Sequence, residues 1–148
     1  MKIQIPVTIC LLGMSSFAAA EELPIQKPGL WQITMTSAKT PGGSRSFKMC
    51  QDSASIAAGK ASADAHLKTD CSKSTMRKEG EKWIAENECT FSGMRVVSHS
   101  ETTVQGDDSF HTQSKSSYGG GKDEVTTIDQ KYLGPCESGQ KVGVPIGA

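Results

Sequence analysis

Lys27-Pro28-Gly29-Leu30-Trp31-Gln32-Ile33-Thr34-Met35-Thr36 is the stretch whose pattern decides the fold class. Trp31, Ile33 and Met35 alternate with Gln32, Thr34 and Thr36, the period-2 signature of a strand with one buried face. Pro24 and Pro28 keep the approach to it extended, and Pro28-Gly29 reads as the turn into the strand. Trp31 is one of only two tryptophans. It is the largest apolar group available to a thin core, which makes the stretch a structural anchor first and a functional surface second.

Upstream, residues 1–20 read as a cleaved signal peptide. Lys2 gives a short positive start, residues 3–17 are mostly apolar, and Ala18-Ala19-Ala20 suits cleavage before Glu21. The apolar run falls short of the roughly 20 residues a bilayer span needs. Ile9 before Cys10 is not the small residue a lipid-anchor motif wants. Residues 21–148 then form a single β-rich domain, with a core over about 26–137 and a C-terminal tail expected to be mobile. Losing Lys2 turns the balance of 16 basic and 16 acidic residues into a net charge near −1. Without long like-charge runs, neither nucleic acid nor an anionic membrane is the expected main partner.

Downstream, Pro41-Gly42-Gly43 marks a turn, and residues 45–50 return as a second strand with Phe47 and Met49 inward. Residues 52–65 carry a weak helical stripe behind Asp52 as N-cap, predicting one short helix covering one end of the sheet. Strands follow over 71–78, 82–91, 94–105, 109–118 and 124–133, separated by Gly-rich turns. The expected fold is mainly β: a single curved antiparallel meander sheet or half-barrel of about seven strands with one short helix, stapled by disulfides.

After processing, Cys50, Cys71, Cys89 and Cys136 remain, an even number that favours two disulfides in an exported chain. Gaps of 20, 17 and 46 residues do not suit zinc, whose thiols pair at close spacing. A three-residue hairpin loop centred on Gly80 sets Cys71 opposite Cys89, leaving Cys50 with Cys136. Cys50–Cys71 with Cys89–Cys136 remains open. Each bridge is worth about 3–4 kcal/mol in the chain-entropy model.

Lys-Pro-Gly-Leu-Trp (27–31), the four spaced cysteines and the closing Tyr-Leu-Gly-Pro-Cys (132–136) resemble the domain of unknown function 3617 family, uncharacterised exported bacterial proteins. The resemblance spans roughly residues 26–140, with Gln32 standing where an acidic residue is expected. It implies a periplasmic or envelope location and brings no activity or catalytic residues.

Catalytic constellations are not evident. Pairing Val104 with Phe110 puts His111 opposite Thr103 and His99 about 13 Å away on the same face, beside Glu101, Gln113 and Lys115, which suggests solvent. His66 stands apart from both. No Gly-x-Ser-x-Gly motif frames a serine, and the many serines read as polar positions on half-exposed strands. Asp107-Asp108 and Asp123-Glu124 lack the spacing of a calcium loop. Gly119-Gly120-Gly121 lacks the Lys and Ser or Thr of a phosphate loop. No cofactor or metal is expected. An apolar face remains, with Trp31, Met35, Trp83, Phe110 and Tyr118 as candidate ligand-facing residues beside Met94 and Val96. The expected function is a non-enzymatic, monomeric envelope module binding a small apolar ligand or a polypeptide segment. The alternative is a structural or regulatory protein acting through a partner, for instance by strand addition; a hydrolase is a minor alternative.

Overall fold

The computed structural model describes residues 22–147. The expected leader, with Cys10, lies outside the described residues. The chain runs β1 (Gly29–Ser37), β2 (Ser44–Gln51), α1 (Ser53–Asp70), β3 (Cys71–Glu79), β4 (Lys82–Phe91), β5 (Met94–Gln105), β6 (Ser109–Tyr118), β7 (Glu124–Gly134) and β8 (Pro145–Ile146). All strand pairs are antiparallel, in one open sheet ordered β3-β4-β5-β6-β7-β1-β2-β8. The mainly β fold is as the sequence predicts, with one strand more than expected. That strand, β8, sets Pro145 and Ile146 beside Met49 and Lys48 of β2. The tail before it touches the same strand, where the Gly143 amide donates to the Cys50 carbonyl (2.9 Å).

Both disulfides of the preferred pairing are present, Cys50–Cys136 and Cys71–Cys89. The route to the second differs from the sequence argument. Glu79 pairs with Lys82 across a two-residue loop, and a register shift between Cys71 and Lys73 restores Cys71 opposite Cys89. Gly80 takes the first loop position at φ 61°, where a tight primed turn needs a positive angle. The bulge beside Ser72 supplies the offset that a three-residue loop would otherwise have given.

The helix departs most from expectation. Asp52 is its N-cap, with a complete capping box: the Ser55 amide donates to Asp52 Oδ1 (2.7 Å), and the Asp52 amide donates to Ser55 Oγ (3.0 Å). That amide bond, then the Ser55 hydroxyl, holds the Asp52 carboxyl below its usual pKa. However, the helix continues past Ala65 to Asp70, and none of its residues is buried.

Along the strand order, α1 contacts the sheet at β3 and β4, at one end. It joins β2 to β3, six strand steps apart. The pairings align Lys78, Trp83, Thr102, Thr112, Ile128, Met35 and Arg45 in one row across the sheet. Cys71 lies above that row and Gln51 below it. On a flat sheet they would be about 50 Å apart, combining roughly 29 Å sideways with roughly 43 Å along the strands. An 18-residue helix spans only about 27 Å. The sheet is therefore strongly coiled, which gives it a concave side. Each end of the helix is pinned: Cys50 stands two residues before Asp52, and Cys71 is the C-cap.

The core fills only part of that concave side. Trp31, Ile33 and Phe110 form its buried centre, with Phe47, Met49, Val104, Ile128 and Tyr132 packed around them. Trp31 is fully buried, its ring centroid 5.7 Å from Phe110 and 5.4 Å from Tyr132.

Candidate functional site

The most specific sequence motifs meet at a structural corner. On β1 and β7, Trp31 pairs with Tyr132, and Leu30 with Gly134. A Cβ on Gly29 would lie 2.3 Å from Tyr132 Cε2 and 2.6 Å from the Gly134 carbonyl oxygen, so only glycine permits this approach. The Trp31 indole donates to the Lys27 carbonyl (2.9 Å). Lys27 Nζ lies 4.1 Å from the centroid of the Tyr132 ring. Asp108, then Asp107, raise the Lys27 pKa by pairing with it. Residues 27–31 and 132–134 thus lock the first strand to the seventh.

The five candidate ligand-facing residues share the concave face by register, in different settings. Trp31 and Phe110 are core. Met35 and Tyr118 are 36% and 44% exposed, and Trp83 is half-buried. Lys39 Nζ lies 5.1 Å from the Tyr118 ring and pairs with Glu124 (2.5 Å).

Above the Trp83 row, the concave face becomes a terrace of hydroxyls. One row brings Ala85, Ser100, Ser114 and Thr126 together, and the next Asn87, Ser98 and Ser116. Ser100 donates to Ser114 (2.9 Å), and Thr102 and Thr112 share a hydrogen bond of 2.9 Å. These serines and threonines are mostly half-buried. Reading them simply as half-exposed polar positions missed that they line the inside of the sheet. Trp83 stands at the edge of this terrace, and its Nε1 is buried with no acceptor among the described residues. A second feature lies under α1: a groove of about 400 Å³ between residues 25–28 and the helix, lined by Ile25, Pro28, Ile56, Ala57 and Ala61, with Lys60 and Asp64 beside them.

The convex face spends its charge internally. Glu86 meets Arg77 (3.6 Å), Lys73 (3.7 Å) and His99 (3.6 Å), while Glu101 meets Lys82 (2.7 Å) and His99 (3.5 Å). Arg77 chiefly lowers the Glu86 pKa, and the Lys82 hydrogen bond that of Glu101. His111 pairs with Asp129 (2.6 Å), and His66 with Asp70 (2.8 Å). Thr103 opposes His111, as the sequence register predicts. The described residues contain no metal-capable group of three or more His, Cys, Asp or Glu. Nor is any described helix long and apolar enough to cross a membrane.

Residues 26–136 match the model of a family described as Protein of unknown function (DUF3617). No curated protein and no solved structure matches the chain.

Proposed function

We propose that this chain, which belongs to the DUF3617 family, is a non-enzymatic binding module holding a small apolar molecule between α1 and the concave face of its sheet. The observation that carries this reading is the helix. A disulfide stands at each end of α1, yet none of its residues is buried. A helix kept over an inner face that the chain's own core fills only in part is suited to covering a guest. On the concave face, half-buried Trp83 and exposed Met35 offer apolar surface outside the packed core. The two disulfides suit an oxidising compartment, and with the sequence leader they support a periplasmic location.

Native mass spectrometry on protein extracted from that compartment without denaturation tests this. A retained small molecule, or displaceable binding of the probe N-phenyl-1-naphthylamine, is expected. Neither a retained molecule nor probe binding refutes the reading.

One observation favours a second reading, an envelope protein working through a polypeptide partner. The outer edge of β3 has no neighbouring strand among the described residues, so an extended segment could add there. Crosslinking in the envelope would then recover one dominant partner; a clean monomer rejects it.

A further inference from the structure

We infer that α1 and β3 leave the sheet together, as one flap, and that the Cys71–Cys89 bridge is a thiol-sensitive pin holding it shut. The inference is independent of the binding reading above. Its first support is burial. None of the residues of α1 is buried. On β3 only Cys71 is half-buried, and the other eight residues are exposed. From Ser53 to Glu79 the chain thus sets no side chain in the interior, whereas β1 and β6 carry Trp31, Ile33 and Phe110. Elements with few buried contacts open first.

The ties of this segment are the second support. Among the elements, α1 chiefly contacts β3 and β4. In turn, β3 pairs with β4 on one side and has no neighbouring strand among the described residues on the other. Lys73 and Arg77 meet Glu86 at 3.7 and 3.6 Å, and surface ion pairs stabilise little. Ser74 donates to Asn87 (2.8 Å). The bridge to Cys89 lies at the joint of the flap. Cys71 caps α1 and opens β3, so a single bond fixes both elements.

The other bridge holds a different kind of structure. Cys50 is buried in β2, which pairs with β1 beside the packed core, so those strands stay docked without it. At the pin, Cys89 is buried and Cys71 half-buried, which puts attack at Cys71 Sγ. A thiolate of a dithiol reductant forms a mixed disulfide there. The electron pair of the broken S–S bond leaves on Cys89 Sγ, which takes a proton from solvent. The reductant's second thiolate then displaces Cys71 Sγ, which is protonated in turn. The reductant ends as a disulfide and the pin as two thiols. The flap swings free and bares the edge of β4.

Native-state hydrogen exchange of the disulfide-intact mature protein, followed by NMR in rising urea, tests the flap. Amides of α1 and β3 should share one opening, about 100-fold easier than that of β1 and β6. Cys71→Ser/Cys89→Ser should raise their exchange by a further factor of about 100, from the closure entropy of a loop spanning 18 residues, with β1, β6 and β7 unmoved. If that variant does not fold, the wild-type isotherms decide. Opening of α1 and β3 only with the whole sheet, or of α1 without β3, overturns the flap. For the pin, the wild-type protein is treated with dithiothreitol without denaturant, and freed thiols are trapped with iodoacetamide. Cys71 and Cys89 should be labelled about tenfold faster than Cys50 and Cys136; equal or reversed labelling overturns the pin.

Discussion

Removing the two disulfides one at a time should separate them by cost, and the order follows from the loops they close. Cys50–Cys136 spans 86 residues and Cys71–Cys89 spans 18. Loop-closure entropy in the unfolded chain then gives about 4.6 kcal/mol for the long bridge and about 3.2 kcal/mol for the short one. The native state widens that gap of about 1.4 kcal/mol. The β3–β4 hairpin sets Cys71 beside Cys89 through its own tight loop and ladder, so its bridge adds to an order already imposed. Cys50–Cys136 instead ties the end of β2 to the chain beyond β7, with β1 between those strands. Urea unfolding of Cys50→Ala/Cys136→Ala and of Cys71→Ala/Cys89→Ala, the other bridge intact in each, measures both costs. The long-bridge variant should lose more stability and show the steeper denaturant dependence, because its unfolded chain expands further. If the short-bridge variant loses as much or more, the loop argument fails. The joint between α1 and β3 at Cys71 would then carry the stability assigned to the long bridge.

Three further outcomes follow from particular side chains. Trp31→Ala should cost about 3–5 kcal/mol in the same unfolding assay, since the indole is fully buried against Phe110 and Tyr132; a loss below about 1 kcal/mol would contradict its central place. Gly29→Ala should cost about 1–3 kcal/mol, because its φ of 148° is strained for alanine and the new Cβ meets Tyr132 and the Gly134 carbonyl; wild-type stability would show that the corner relaxes freely. Asp52 has a pKa lowered from 3.8 in the folded state, so its stabilisation is present above about pH 4 and lost as the pH falls through the folded value. Asp52→Ala should lower Tm at neutral pH and flatten the acid limb of Tm against pH, and an unchanged acid limb would remove the cap from the account.

Where side-chain alternation had contrast, the sequence was legible. Trp31, Ile33 and Met35 on one face of β1, Phe47 and Met49 on β2, and Val104 opposite Phe110 all stand where a period of two puts them. The cysteine pairing was legible because a short hairpin leaves little freedom in register, although a bulge supplied the last residue of offset. The inner terrace was not. Ser98, Ser100, Ser114 and Ser116 face inward opposite charged and polar residues facing out, and hydropathy does not distinguish two polar faces. The full length of α1 escaped for a related reason: a helix that buries nothing needs no apolar stripe, so its sequence carries no periodic mark of where it ends. The site residues are mixed in the same way. Apolar character alone marked Trp31 and Trp83 as equals, whereas coiling of the sheet packs one into the core and leaves the other beside the terrace with its N–H unmatched.

The central claim is that the concave face holds a guest. A crystal structure of the protein purified from its own compartment, without denaturant or organic solvent, tests it most directly. The account predicts a small apolar molecule held on the concave face. A concave face filled solely by the chain's own side chains would contradict it.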